Sequence, residues 1–339
     1  MLALVTGGTG FVGSNLVSAL INRGISVRVL RRETSSTVAL DDLACEMCVG
    51  DVLDSVDALA TAMAGCTWVF HTAAVSDYWR YRGCDRLYRT NVEGTRNVVA
   101  AALRAGVKRL VFTSSIAALG IPAPGRQLTE ADHFNLRPRQ FPYGHSKHLA
   151  EGELRRAIAA GLAAVTVNPG VVIGPRDVNR ISSAMVVEAA RGRLRFAPPG
   201  GTNFVSVADV VRGHVMAAEC GRIGERYILA GENLSFRDAF ATVCDIVNRP
   251  GPRVVLPRWS IPVAAAAVAA ARGVVGPRLP IDGHQMRLSS AAIYADGEKA
   301  RNELGVPATP FHTAVQNAYD WYVENHYLKP AIPETRSQR

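Results

Sequence analysis

The sequence predicts an α/β protein with a doubly wound parallel sheet and a smaller, mixed α/β C-terminal region. Three observations predict this class. Short β-rich runs alternate with longer helical segments through the first half of the 339 residues, as in parallel sheets with helices on both faces. The first run leads directly into a glycine-rich turn. After residue 169, prolines and glycines cluster and the apolar runs become short.

Six segments are predicted strands because they are short, apolar and bounded by turn residues. They are LALVT at 2–6, SVRVL at 26–30, EMCVG at 46–50, TWVFHT at 67–72, KRLVFTS at 108–114 and AAVTVNP at 163–169. Helical patterns fill 11–23, 55–64, 84–105 and 143–160. We therefore divide the chain into a sheet domain at 1–169, a second region at 170–328 that interleaves with it, and a flexible polar tail at 329–339.

Charge and hydropathy argue against several classes of protein. The net charge is +9, but the arginines are scattered and no nucleic-acid-binding motif is present, so we expect no nucleic-acid partner. The chain begins with an apolar strand rather than a signal peptide, which favours the cytoplasm. The longest apolar stretch, 261–276, is rich in alanine and interrupted by Arg272 and Gly273. We expect a packed helix there rather than integral membrane insertion, with contact to a membrane surface as the alternative.

The six cysteines do not predict a metal site. Cys45 and Cys48 have C-x-x-C spacing, but no second pair of cysteines or histidines follows at the spacing of a zinc site. We expect buried free thiols, a reducing compartment and no metal.

A glycine-rich segment, TGGTGFVG at 6–13, stands between the first predicted strand and the first predicted helix. Its three evenly spaced glycines allow a tight turn, close approach of the backbone to a pyrophosphate, and close packing of helix on strand. The helix N-terminus offers unpaired N–H groups to the phosphates. This predicts a Rossmann-type dinucleotide site. The predicted contacts of the turn are Gly7, Thr9, Gly10, Phe11, Val12 and Gly13.

The residues after the second predicted strand indicate which dinucleotide binds. An acidic residue there would bond the adenosine ribose 2′-OH and repel a 2′-phosphate. This chain has Arg31 and Arg32 instead, and two guanidinium groups suit a 2′-phosphate, so NADP(H) is favoured. NAD(H) stays possible, because Glu33 can accept from the ribose and the arginines can form a solvated turn.

The ends of the third and fourth predicted strands add to this site. Asp51 and Val52 follow the third strand, where Asp51 can reach the adenine edge. Ala73 and Ala74 follow the fourth and form a floor of small residues under the cofactor.

Tyr143 and Lys147 stand four residues apart in YGHSK, so they share one face of the predicted helix. Alone, this spacing is common on ordinary helix surfaces. With five further motifs in order, however, the chain resembles the extended short-chain dehydrogenase/reductases, from residue 1 to about 325, and most strongly the branch of dihydroflavonol reductases and 3β-hydroxysteroid dehydrogenases. The motifs are TGGTGFVG, HTAA at 71–74, NVEGT at 91–95, FTSS at 112–115, YGHSK, and NPGVVIGP at 168–175.

The resemblance implies roles for four catalytic residues: Tyr143, Lys147, Ser115 and Asn91. Tyr143 would exchange a proton with the substrate oxygen while Lys147 lowers its pKa. Ser115, preferred to Ser114, would donate to the developing oxyanion, and Asn91 would support a proton relay. The further cofactor contacts that the same motifs imply are Thr113, Ser114, Tyr143, Lys147, Pro169, Gly170 and Val172.

Three activities are compatible with the resemblance: a carbonyl reductase or alcohol dehydrogenase, a nucleotide-sugar epimerase with tightly held NAD, and a non-catalytic dinucleotide-binding regulator. The apolar stretch at 116–119 lacks the acidic pair of the sugar dehydratases. We favour the reductase, acting on a small molecule.

The loop at 76–82, SDYWRYR, interleaves aromatic residues with arginines. It predicts substrate contacts at Ser76, Tyr78, Trp79 and Arg80, by stacking and by pairing with an anionic group; packing of the loop on the C-terminal region is the alternative. The resemblance also implies a homodimer through the helices at 84–105 and 143–160, with Ala100, Ala101, Ala102, Ala157 and Ala159 allowing close packing.

Overall fold

The computed structural model of the chain describes residues 1–76, 83–276 and 282–330. All six predicted strands form, within one residue of their expected bounds, and further short strands follow. The strands are β1 Leu2–Thr6, β2 Ser26–Arg31, β3 Glu46–Val49, β4 Trp68–His71, β5 Arg109–Thr113, β6 Ala164–Pro169, β7 Val171–Ile173, β8 Phe196–Ala197, β9 Gly201–Ser206, β10 Arg226–Leu229, β11 Glu232–Ser235, β12 Val254–Val255 and β13 Ala292–Ile293.

The helices alternate with the strands in the first half and cover the second. They are α1 Phe11–Asn22, α2 Val56–Ala62, α3 Asp85–Tyr88, α4 Gly94–Ala105, α5 Pro142–Ala159, α6 Ala184–Ala190, α7 Val207–Glu219, α8 Phe236–Ile246, α9 Ile261–Val275, α10 Gly283–Leu288, α11 Glu298–Leu304 and α12 Phe311–Glu324.

The large sheet has the order β10-β6-β5-β4-β1-β2-β3, and every neighbouring pair is parallel. Its central strands are apolar along their length because both faces are covered. Helices α1, α7 and α11 pack on one face, and α2, α4 and α5 pack on the other. The predicted doubly wound fold is confirmed. The strand order reverses between β1 and β4, which is where ligands bind in such sheets.

The seventh strand of this sheet was not predicted. β10 comes from the C-terminal region and pairs with β6 through Arg226–Leu229. Its four residues are too few to give a periodicity signal. A smaller sheet carries the C-terminal region, with β11 and β13 along β9 and with β7 pairing the end of β9. One strand of the C-terminal region therefore belongs to the large sheet; the division of the chain into domains stays a prediction.

The predicted helix at 84–105 is interrupted. Between α3 and α4, residues Arg89–Glu93 form one turn of π-helix. Such a turn widens the helix by one residue and is often found at functional sites. It carries Asn91, whose side chain is almost completely buried.

Three of the alanines expected at a dimer interface face the interior. Ala101, Ala102 and Ala157 belong to the core between the sheet and the helices. The expectation that these three alanines pack against a second subunit is therefore wrong. The outer side of α4 and α5 instead carries ion pairs of Glu153 with Arg96 and Arg156. The homodimer itself stays a prediction.

The alanine-rich segment forms a helix, as predicted, but it is not packed on all sides. Only Ile261 and Ala265 of α9 are buried. The high helix propensity of alanine stabilises the helix even where packing is absent. Within the described part of the chain, no helix is both long enough and apolar enough to cross a bilayer.

Candidate active site

A cavity of about 520 Å³ lies at the carboxyl ends of the central strands, at the reversal of strand order. Every residue predicted to contact the cofactor lines it, as do Ser115 and Ser76. The predicted lining residues are Gly7, Thr9, Gly10, Phe11, Val12, Gly13, Arg31, Arg32, Asp51, Val52, Ala73, Ala74, Ser76, Thr113, Ser114, Ser115, Tyr143, Lys147, Pro169, Gly170 and Val172.

The glycine-rich turn fits a pyrophosphate. A Cβ added to Gly13 would lie 2.2 Å from the carbonyl oxygen of Gly7, so only glycine lets α1 pack this closely on the turn. Gly10 caps α1 without a side-chain hydrogen bond, and the first turn of the helix holds no acidic residue. The first N–H groups of α1 therefore face the cavity with a positive helix end that attracts phosphate.

Two arginines at the end of β2, Arg31 and Arg32, line the cavity. Arg31 donates from Nη1 to the carbonyl oxygens of Arg32 (3.2 Å) and Glu33 (3.3 Å). Its Nε is buried and has no partner in the protein. Such a donor is costly to bury unpaired, and an anionic ligand would satisfy it. Glu33, the alternative ribose acceptor, is not part of the lining, whereas Ser35 is.

Tyr143 reaches the cavity because of how α5 begins. Pro142 starts the helix, which suits proline because the first turn needs no N–H donor there. The next residue but one, Gly144, approaches the short turn after β5; a Cβ on it would lie 2.5 Å from the carbonyl oxygen of Ala117. This close approach brings the phenol to Ser115, to which it is hydrogen-bonded.

The protein's own groups raise the pKa of Tyr143 rather than lowering it. Burial raises this pKa to about 12, and the hydrogen bond to Ser115 offsets only part of the increase. We expected Lys147 to make the phenol unusually acidic, and this expectation is wrong for the protein alone. The cost of burying a phenolate exceeds the stabilisation that its surroundings supply.

Lys147 is buried beneath the cavity. Its Nζ donates to the carbonyl oxygen of Thr113 at 2.8 Å and lies over the ring of Phe112, 5.1 Å from the centroid. Burial lowers the pKa of Lys147 to about 8, while the negative charge of Glu151 raises it. The ammonium therefore depends on a carboxylate one turn further along α5 to stay charged near neutral pH.

Glu151 is the centre of a buried polar network that the sequence analysis missed. Its side chain is 2% exposed. Its Oε1 accepts from Ser114 Oγ (2.5 Å) and Asn168 Nδ2 (2.8 Å). Its Oε2 lies 2.9 Å from an Nη of Arg226, as an ion pair rather than a well-aligned hydrogen bond. The signal in the sequence was a third ionisable residue, four positions after Lys147 on the same helix face.

This network separates the two candidate serines. The Ser114 hydroxyl donates to Glu151, away from the reacting groups, although Ser114 lines the cavity. The Ser115 oxygen accepts from the N–H of Ala117 at 3.2 Å, which leaves its proton free to be donated. The geometry therefore agrees with the preference for Ser115.

Asn91 is the one predicted catalytic residue that does not line the cavity. Its side chain accepts from the N–H of Val75 (2.7 Å) and donates to the Val75 oxygen (3.0 Å) and to Ser146 Oγ (3.0 Å). Ser146 in turn donates to the carbonyl oxygen of Tyr143 at 2.7 Å. Asn91 thus connects the loop after β4 to the first turn of α5 and holds both in place.

The sequence analysis missed a second wall of the cavity. Asn179, Ile181 and Ser182 line it from the loop after β7. Asp177 organises this loop by accepting from the N–H groups of three successive residues, 181–183. Arg86 and Thr90 line the cavity from the helix before Asn91. Of the predicted substrate loop, Ser76 is in place, whereas Tyr78, Trp79 and Arg80 lie outside the described residues.

No cluster of three or more metal-binding side chains is found in the ranges that the structure describes. The sheet, its glycine-rich turn and the cavity at the reversal of strand order together define a Rossmann-type dinucleotide-binding protein.

Comparisons with known proteins identify the family. The model of the NAD dependent epimerase/dehydratase family matches residues 3–230. The chain is 36% identical over 334 residues to a putative dihydroflavonol 4-reductase of Synechocystis sp., covering 96% of this chain and 95% of that protein. It is 34% identical over 331 residues to sterol demethylase protein B of Methylococcus capsulatus, covering 96% and 99%. The crystal structure of gox2253 matches with a TM-score of 0.85 and 35% identity, over 97% and 99% of the two chains.

The chain therefore belongs to the NAD-dependent epimerase/dehydratase family, within the extended short-chain dehydrogenase/reductases. The resemblance inferred from the six motifs is confirmed, and with it the Rossmann-type fold and the binding of NAD(P) that characterises the family.

Replacing Gly13 by alanine tests the phosphate cradle. We expect Gly13→Ala to weaken NADPH binding by more than about tenfold, because the added methyl group must push the turn away from the helix N-terminus. Fluorescence titration with NADPH measures the affinity. Gly152→Ala is the matched control, since a Cβ there meets only the far ends of two arginine side chains. Equal affinity of the two variants would contradict the assigned site.

Replacing Glu151 by glutamine tests the support of Lys147. The charged form of Lys147 is lost as the pH rises through its pKa. Removing the carboxylate lowers that pKa further, so the alkaline loss of activity moves to lower pH. At pH 8 we expect kcat to fall by about fivefold for the first unit of this movement, since the charged fraction of Lys147 falls from about one half to about one eleventh. Glu153→Gln, on the same helix but paired with surface arginines, should leave the pH profile in place. Identical profiles for both variants would exclude the proposed coupling.

Proposed function

We propose that this protein is an NADP(H)-dependent carbonyl reductase that converts a ketone or aldehyde into the alcohol. The observation that carries the proposal is the Ser115–Tyr143–Lys147 set at the reversal of strand order: the three side chains line one cavity, and the ammonium of Lys147 is buried. Reduced nicotinamide bound in the cavity would supply the hydride to the carbonyl carbon.

The protein's groups supply the proton and stabilise the charge. As the carbonyl oxygen becomes an alkoxide, the hydroxyl of Ser115 donates a hydrogen bond to it. Tyr143 transfers its phenolic proton to the same oxygen. Lys147 brings a positive charge to the same cavity; it does not lower the pKa of Tyr143 in the protein alone, but it favours the phenolate once the proton has been transferred. The proton is then restored from solvent.

The raised pKa of Tyr143 bears on the protonation state of the protein without cofactor. A phenol with a pKa of about 12 is protonated at neutral pH, as an ordinary tyrosine is, and it donates its proton more readily when its surroundings stabilise the phenolate. Oxidation of the alcohol needs the phenolate as a base, and the protein alone disfavours this form.

Arg31 and Arg32 support NADP(H) over NAD(H). Both line the cavity at the end of β2, together with the hydroxyl of Ser35. The buried, unpartnered Nε of Arg31 is a donor that a 2′-phosphate can satisfy, whereas a ribose hydroxyl brings no charge to it.

The relatives support an apolar, ring-containing substrate. The names of the two similar proteins refer to a dihydroflavonol and a sterol. The walls of the cavity beyond the predicted cofactor contacts include Val75 and Ile181, which suit the apolar body of such a molecule.

A nucleotide-sugar epimerase is the second candidate, because the matching family model covers that activity. In a sugar-nucleotide dehydratase, by contrast, an acid and a base would be expected after the catalytic serine, where residues 116–119 are apolar and buried. Identifying the nucleotide that co-purifies with the protein separates the candidates. Firmly held NAD with no net consumption of NADPH on ketones would favour the epimerase.

Replacing Tyr143 by phenylalanine tests the proton donor. We expect kcat for ketone reduction by NADPH to fall by about 100- to 10,000-fold, which is the usual contribution of a general acid, while NADPH affinity changes little. Tyr88→Phe is the control, because this nearby phenol bonds to His145 at 3.0 Å and is outside the cavity lining. Retention of activity by Tyr143→Phe would rule the mechanism out.

Removing both guanidinium groups tests the cofactor preference. We expect the double variant Arg31→Ala and Arg32→Ala to raise KM for NADPH by at least roughly 100-fold, because it removes two charge-assisted hydrogen bonds that contribute about 1.5–3 kcal/mol each. KM for NADH should change much less. Arg23→Ala removes a surface arginine that pairs with Glu219 and serves as the control. Equal losses for the two cofactors would refute the NADP(H) preference.

A further inference from the structure

An unusual share of the exposed large apolar side chains lies in one part of the C-terminal region. They come from α9, from the residues that lead into it, and from β8 and β12, which pair through Phe196 and Val254. Their exposed fractions run from 39% to 89%. We call this surface the apolar face. It consists of Phe196, Val254, Val255, Trp259, Val263, Val274 and Val275.

Helix α9 presents an apolar stripe to the outside. Val263, Ala266, Ala267, Ala270 and Val274 are all exposed, and their spacing of i, i+3, i+4, i+7 and i+11 places them on one side of the helix. The inward side packs on α10 through small residues: a Cβ on Gly283 would lie 2.9 Å from the carbonyl oxygen of Ala265. The inward side is apolar as well, with Ile261 and Ala265 buried, so α9 is apolar on nearly all sides. A helix of this composition is normally buried all round, whereas α9 leaves one apolar side exposed.

The charge of this segment is of one sign. Residues 253–276 include Arg253, Arg258 and Arg272 and contain no aspartate or glutamate. Arg253 and Arg258 are exposed beside Val254, Val255 and Trp259. Tryptophan and arginine flanking an apolar stripe are the composition of helices that lie in the headgroup region of a bilayer.

A second copy of the chain fits this face less well. A symmetric dimer would place the same patch of both subunits together. Arg253 and Arg258 would then approach their own counterparts, and this segment offers no carboxylate to separate them. Anionic lipid headgroups supply the missing negative charge.

We propose that the apolar face docks on the surface of an anionic lipid bilayer, with Trp259 and the valines among the headgroups and the arginines on the lipid phosphates. Helix α9 would lie in the plane of the surface, since its 15 residues are too few to span a bilayer. This docking goes beyond the proposed reduction and does not depend on it.

The helix on which α9 packs begins near the site. Asp282 caps α10, and its carboxylate lies near Cys84. Burial raises the pKa of the Cys84 thiol most, and the negative charge of Asp282 raises it further. Cys84 precedes Arg86 and Thr90, which line the cavity. Helix α10, on which α9 packs, therefore begins near the chain segment that leads into the cavity lining.

Vesicle binding by the full-length protein tests the proposal without substrate or cofactor. We expect cosedimentation with vesicles of phosphatidylcholine and phosphatidylglycerol in equal parts, at least about tenfold weaker binding to phosphatidylcholine alone, and release by added salt. The triple variant Trp259→Ser, Val263→Ser and Val274→Ser should bind at least roughly tenfold less. The variant Arg253→Ser with Arg258→Ser should lose about fivefold per arginine.

A matched control replaces exposed apolar residues elsewhere: Val38→Ser, Val49→Ser and Ile223→Ser, which should keep wild-type binding. The triple variant should reduce a water-soluble ketone with NADPH at the wild-type rate. This rate would show that the variant is folded, and it tests the proposed activity separately from vesicle binding. Absence of wild-type binding to anionic vesicles, or equal binding by the triple variant, would overturn the proposal. So would light scattering that shows the triple variant converting a dimer into a monomer, since the face would then join two subunits.

Discussion

The buried ammonium of Lys147 is the constraint on which the site depends. A cation this far from water is stable only when fixed groups replace its hydration, and here they are the carbonyl oxygen of Thr113 and the ring of Phe112. The charge of Glu151 opposes the effect of burial. Because the carbonyl comes from β5 and the carboxylate from α5, the charge on one side chain requires both elements in their observed positions.

The second part of this arrangement comes from the far end of the sequence. Glu151 is itself buried, and burying its carboxylate without a cation would be costly in free energy. Arg226 on β10 supplies this cation. Asn168 on β6 links the same carboxylate to the carbonyl oxygen of Ser115 at 3.0 Å. The network therefore extends from the C-terminal region to the reacting groups, and it explains why the seventh strand belongs to the catalytic half of the molecule.

The sequence was sufficient where a local pattern carries the physics. The strands up to β6, the phosphate cradle and the Tyr143–Lys147 pair follow from periodicity, glycine spacing and motif order. It was insufficient where the outcome is set by neighbours distant in the chain. The role of Glu151 depends on Arg226, the π turn at Asn91 depends on contacts with Val75 and Ser146, and the pKa of Tyr143 depends on burial. The outward stripe of α9 also needs the structure, because composition alone does not say which side packs.

The late arrival of β10 has a consequence for synthesis on the ribosome. Strand β6 is buried along its whole length, but its outer edge stays unpaired until residues 226–229 emerge. An apolar strand with an open edge is a template for association with other chains. For more than fifty residues of translation, the nascent protein therefore exposes a surface that chaperones recognise, and only the last strand of the sheet removes it.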